Sequence, residues 1–85
     1  MEDILYLKGM GDYCQVVLNE EKIMTLEKLR SFESRLSSRT FMRVHKSYIV
    51  SINKIEYVEK NRIKIKNELI PIGQTYEKTI KGLFE

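Results

Sequence analysis

Arg43-Val44-His45-Lys46-Ser47 gathers a guanidinium, an imidazole, an ammonium and a hydroxyl into five consecutive residues. Donors set this closely suit phosphate oxygens, which accept charge-assisted hydrogen bonds from several directions. The surrounding chain points the same way. Between Glu33 and Glu56 lie 22 residues without an acidic side chain, and they hold Arg35, Arg39, Arg43, Lys46 and Lys54 besides His45. A contiguous segment of one sign attracts a polyanion such as a nucleic-acid backbone. The same residues also fit a solvated positive face with His45 hydrogen-bonded to a neighbouring carbonyl, and charge alone does not separate the two.

Arg62, Lys64 and Lys66 form a second basic row, which also serves to keep a strand face soluble. It joins the first feature only if Lys60 and Arg62 abut it. Tyr13, Tyr48 and Tyr76 stand beside polar or basic residues, where they fit either stacking on single-stranded bases or an ordinary core.

Enzymatic chemistry finds few components. Nucleophilic catalysis needs a Ser or Cys with a base held by a third group, and the chain has one histidine, His45, and one cysteine, Cys14, set in an apolar run. A structural zinc site would ordinarily need a tetrad of Cys and His ligands and a catalytic one a triad of protein ligands, so no metal or cofactor is expected. Gly9-Met10-Gly11 lacks both the further glycine of a dinucleotide fingerprint and the Lys-Ser/Thr ending of a phosphate loop, and reads as a turn.

The elements that would position these residues are mostly strands. In Arg62-Ile63-Lys64-Ile65-Lys66, two isoleucines fall on one face and three cations on the other, the pattern of a half-buried antiparallel strand. Ile4–Leu7, Tyr13–Leu18, Lys22–Met24, Tyr48–Val50, Ile55–Val58 and Leu69–Ile72 read likewise, giving seven short strands. Turn formers separate them at Gly9-Met10-Gly11-Asp12, Asn19-Glu20-Glu21, Lys60-Asn61 and Asn67-Glu68. Pro71 cannot donate to a ladder, which sends its strand to an edge or an unpaired position. Two stretches break the pattern. From Thr25 to Ser37, Leu26, Leu29, Phe32 and Leu36 share one helical face, with Thr25 as N-cap. Near the end, Tyr76, Ile80 and Leu83 or Phe84 have helical spacing, with Thr75 as cap and Gly82 as stop.

Size and composition bound the rest. The 85 residues suffice for one domain, residues 1–85, and 42% hydrophobic with 32% charged residues is ordinary for a folded chain. Fifteen Lys and Arg against twelve Asp and Glu give a net charge of +3, compatible with a polyanionic partner. A lone cysteine in so small a domain fits a reducing, cytoplasmic setting. Apolar runs fall far short of the roughly 20 residues that span a bilayer, and Met1-Glu2-Asp3 is acidic rather than signal-like. The first strand-like run starts within a few residues of Met1, as in a domain cut from a longer protein.

Phe41-Met42-Arg43-Val44-His45-Lys46-Ser47-Tyr48-Ile49-Val50 resembles the central signature of the LytTR family: an aromatic residue, Arg, Val, His, a basic residue, Ser, Tyr and an Ile/Leu-Val pair. Gly11-Asp12-Tyr13 resembles the family's first loop, Thr25-Leu26 with Leu29 its helix start, and Ile70-Pro71-Ile72 its last strand, so nearly the whole chain is covered in order. The resemblance implies an elongated, mostly β domain of short antiparallel strands and hairpins with a three-turn helix and a short C-terminal one. Such domains lie along double-stranded DNA, with loops rather than a recognition helix in successive major grooves. By position it assigns backbone contacts to Arg43, His45, Lys46, Ser47, Lys60 and Arg62. Base reading falls to the loops at Asp12 and Tyr13 and at Gln74 and Thr75. Ser51 replaces the family's usual Asn, and Gly73-Gln74 its usual Ser-Arg. Arginine pairs readily with guanine and glutamine with adenine, so Gln74 is expected to alter base preference.

The function expected is therefore sequence-specific duplex binding as the output domain of a bacterial transcription regulator of the two-component response-regulator type. The resemblance also implies an upstream receiver domain and two copies on repeated half-sites. The competing readings are a protein-interaction module using exposed strand edges, with no nucleic-acid ligand, and single-strand binding through the tyrosines.

Overall fold

Alternation of buried side chains along the strands generates two sheets that share a core. A computed structural model of the chain describes residues 4–84; the acidic start Met1-Glu2-Asp3 and the Phe84 side chain lie outside the described residues. The first sheet contains β1 (Ile4–Met10), β2 (Tyr13–Leu18), β3 (Lys22–Thr25), β4 (Phe41–His45) and β5 (Tyr48–Ser51), in the spatial order β3-β2-β1-β5-β4. The second contains β6 (Tyr57–Glu59), β7 (Arg62–Ile65) and β8 (Glu68–Pro71) in sequence order, and all pairings are antiparallel.

The first sheet is covered on both faces. One face contributes Tyr6, Val17, Val44 and Val50 to a core completed by Ile63, Ile65 and Ile70 of the second sheet and Ile80 of the C-terminal helix. Those four isoleucines are at most 2% exposed, and each such burial is worth about 1.5–3 kcal/mol relative to exposure. The other face sets Ile4, Leu7, Cys14, Phe41 and Ile49 against Leu29 of the first helix, α1 (Leu29–Arg35), with Phe32 and Leu36 packed alongside. The long axis measures 35 Å against 25 and 21 Å for the others, which agrees with an elongated domain.

The mostly β architecture, the buried Cys14 and the edge position of the Pro71 strand are as the sequence predicts. Differences arise where tertiary contacts outweigh local pattern. Phe41–His45 is an eighth strand that sequence reasoning did not count. Phe41 and Arg43 serve the α1 face while Met42 and Val44 serve the second sheet, so no apolar-polar alternation marks it. Thr25 does not cap a helix: it pairs with Cys14 as the last residue of β3, α1 begins four residues later, and Leu26 is 71% exposed instead of facing the core. The cap position is Lys28, in extended conformation and without a side-chain capping bond. At the C-terminus a 3-10 turn, Gln74–Tyr76, leads into α2 (Glu77–Phe84), so Thr75 lies within that turn and Gly82 within the helix it was expected to stop. Ile80 anchors α2, and a glycine mid-helix costs about 1 kcal/mol relative to alanine.

Candidate nucleic-acid interface

The sharpest basic run folds into the tight turn between β4 and β5. A register shift between Arg43 and His45 lets His45 pair with Tyr48, leaving Lys46 and Ser47 at the tip. Strand alternation puts Arg43 on the α1 side, where its guanidinium is spent internally. Nε donates to the His45 carbonyl at 2.8 Å, Nη2 to the Lys46 carbonyl at 2.5 Å, and Nη1 to Glu33 Oε1 of α1 at 2.5 Å. The Arg43 side chain is only 18% exposed. His45 Nδ1 accepts the Ser47 N–H at 3.0 Å, and its ring meets Tyr48 edge-on at 5.6 Å. Both ends of the turn are thus braced, and Lys46 projects from it exposed, with no ion pair among the described residues.

Other turns gather beside this one. The Ser47 carbonyl accepts the Gly9 N–H at 2.8 Å, tying the turn to the end of β1, which leads into the β1–β2 turn at Gly11-Asp12. Gly11 has a φ of +67°, a conformation glycine adopts freely. Val44, on the other side, accepts the Gly73 N–H at 2.8 Å, which sets Gln74 and Thr75, both exposed, next to His45. A Cβ on Gly73 would lie 3.2 Å from the Tyr76 ring and 3.5 Å from the His45 Cα, so the approach is close. Asn61 in turn accepts the Ile72 N–H at 3.0 Å, linking the β6–β7 turn with Lys60. Lys60 and Asn61 both have positive φ, 50° and 60°, as a two-residue hairpin of this twist requires. Arg62, exposed, pairs with Pro71 just before the Gly73 junction.

Three backbone hydrogen bonds therefore join four turns in a row: Asp12 with Tyr13, Lys46 with Ser47, Gln74 with Thr75, and Lys60. Asp12 and Tyr13 are exposed, and Lys28 at the start of α1 stands 3.9 Å from the Asp12 carboxylate. Backbone bonds connect the Lys60-Asn61 turn through Ile72 and Gly73 to Val44 of β4, and Arg62 pairs with Pro71 beside that junction. Sequence reasoning missed Lys28 and Lys8. Lys8 pairs with Tyr48 in the ladder and holds its ammonium 5.9 Å from that ring. No sequence signal could have found either, because each reaches the row only through strand pairing or helix docking.

The acid-free segment does not form a single patch in space. Arg35 pairs with Glu27 and stacks on Phe32, and Arg43 pairs with Glu33. Arg39 precedes β4, and Lys54 ends a 3-10 turn after β5, so the hairpin carries both to the end opposite Lys46. The departure at Ser51 is also remote from the row: that residue is buried, paired with Phe41 at the far end of β5. Gly73-Gln74, by contrast, lies within it. Of the acidic turns, Asn19-Glu20-Glu21 sits at the opposite end, where Lys66 donates to the Asn19 carbonyl and, at 3.0 Å, to its side-chain oxygen.

No helix among the described residues is long and apolar enough to cross a membrane. The sensory transduction protein LytT of Bacillus anthracis is 32% identical over 89 aligned residues, covering 98% of this chain and 36% of that protein. The heme-containing CO-sensing transcriptional regulator RcoM 2 of Paraburkholderia xenovorans is 36% identical over 52 residues, 61% of this chain and 20% of the other. The chain thus spans about a third or less of the length of these relatives. A solved LytTr DNA-binding domain of a putative methyl-accepting/DNA response regulator from Bacillus cereus superposes with a TM-score of 0.87 at 25% identity, covering 96% of this chain and 81% of that one. The sequence profile described as LytTr DNA-binding domain matches residues 1–85, and with it the chain belongs to that family of DNA-binding domains.

Proposed function

We propose that the domain binds duplex DNA sequence-specifically as the output module of a bacterial transcription regulator, laying its row of turns along successive major grooves. The observation that carries this reading is the hydrogen-bonded succession of turns, from Gly9 to Ser47, Val44 to Gly73 and Asn61 to Ile72. A rigid row of exposed loops meets a duplex as a line of contacts, without a recognition helix. Lys46, Ser47, Lys60 and Arg62 hold phosphates, with Arg43 and His45 shaping the turn behind Lys46. Asp12, Tyr13, Gln74 and Thr75 face base edges. The domain needs no cofactor and performs no catalysis. It works in the cytoplasm, downstream of a receiver or other sensory domain, with two copies on repeated half-sites.

The test is selection of duplexes from a random pool, followed by anisotropy titration of the best sequence across salt concentrations. With one phosphate neutralised by each of Lys46, Lys60 and Arg62, the log-log slope is on the order of −3. A slope near zero, or tighter binding to either single strand, would refute the reading. One observation favours a second surface: edge strand β3 exposes Ile23 by 46% and Met24 by 49%, beside Leu26, as a protein-interaction module would. That module alone predicts no duplex binding at moderate salt.

A further inference from the structure

Glu33 is an acid on the side of the molecule proposed above to meet a polyanion, and by charge alone it should weaken binding. Its position argues the opposite. Its carboxylate accepts from Arg43 Nη1, and the same guanidinium donates to the carbonyls of His45 and Lys46. The planar fork of arginine reaches all three acceptors at once, which an ammonium on a flexible stem cannot do. The carbonyls flank the peptide that presents Lys46, and His45 braces the other side through Ser47. The α1 helix carrying Glu33 is itself fixed by Leu29, whose Cβ would lie 3.4 Å from a Cβ on Gly9 at the neighbouring end of β1.

We infer that Glu33 and Arg43 are positioning residues for DNA binding: Glu33 anchors Arg43, and Arg43 holds the Lys46–Ser47 turn in its binding geometry without itself touching phosphate. The inference rests on the duplex-binding reading. It gives α1 a role in the interface although that helix enters no groove.

The experiment measures duplex affinity of the intact chain by anisotropy at fixed salt, with thermal melting of each variant as the control for folding. Glu33→Ala is expected to weaken binding about two- to fivefold, the range of a half-exposed ion pair, although it removes a negative charge. Glu33→Gln, which keeps an acceptor oxygen for Nη1, should restore binding to within about 1.5-fold of wild type. Arg43→Lys, which conserves charge, should weaken it about tenfold. In a Lys46→Ala background Glu33→Ala should lose less affinity than it does in the wild-type chain, because the charged one of the two phosphate contacts that it positions is gone. Unchanged or tighter binding by Glu33→Ala overturns the inference, as does an equal loss in both backgrounds or a Glu33→Gln variant no better than Glu33→Ala. A wild-type chain that binds no duplex would overturn the proposed function itself, and is told apart from these outcomes by the unmutated control.

Discussion

Lys46 and Lys54 belong to the same acid-free stretch and carry the same charge, yet the β4–β5 hairpin sends them to opposite ends of the molecule. Replacing each by alanine separates sequence proximity from spatial position. β5 has four residues at about 3.3 Å each, so at least about 13 Å of strand separates the two sites. That exceeds the screening length of about 10 Å at 0.1 M salt, and a screened charge at 13 Å changes affinity by only about a factor of 1.2. A phosphate contact removed with Lys46 lowers the magnitude of the salt slope by about 0.9, which is about eightfold in affinity at 0.1 M salt and about threefold at 0.3 M. Anisotropy titrations at four salt concentrations would resolve this. Lys46→Ala should give a shallower line and Lys54→Ala one superposable on wild type. Equal slope changes in both variants, or a change confined to Lys54→Ala, would refute the assignment of the interface to the row of turns.

Gln74→Arg, at the exposed start of the 3-10 turn, should move the preferred base at one position toward guanine, with about 1–3 kcal/mol of discrimination in a random-pool selection; an unchanged preference removes Gln74 from the reading set. Lys60→Gly should weaken DNA binding by the loss of one phosphate contact yet raise thermal stability by about 4 °C. The left-handed φ of 50° costs a non-glycine residue about 1–2 kcal/mol, of which glycine entropy returns part, and a lowered melting temperature would contradict this. Alkaline stability should fall in two steps. Burial, with the Glu27 carboxylate adding to it, raises the Cys14 thiol above its ordinary 9.0, and burial with Glu68 and Tyr48 raises Tyr6 above 10.0. The unfolded chain ionises first as pH climbs, so stability intact below pH 9 is lost as pH rises through the folded values. Urea melts between pH 7.5 and 11 should show this decline, and Cys14→Ala should remove its first part.

Much of the fold was legible because hydrophobic alternation records which strand face is buried. Ile63 and Ile65 between Arg62, Lys64 and Lys66 read correctly from the pattern alone, and so did the edge position of Pro71. Phe41–His45 escaped because both its faces are covered, one by α1 and one by the second sheet, which erases period-two polarity. Thr25 misled in the opposite way: a good capping residue before a helical repeat is drawn into the β2–β3 ladder, which satisfies its backbone better than a helix start would.

The candidate interface divides along the same line. The donor cluster at Arg43 to Ser47, the tight turns and the family signature are local properties, set by residue types and short spacings, and the sequence determined them by itself. Which donors remain available is a matter of distance across the fold. Helix docking brings Glu33 to Arg43 and removes that guanidinium from solvent; hairpin pairing sends Arg39 and Lys54 away from Lys46. Backbone hydrogen bonds between residues tens of positions apart bring Gly73 to Val44 and Gly9 to Ser47. Charge can be counted along a chain, but it acts through space over about 10 Å of screened range, and only tertiary structure decides what lies within that range.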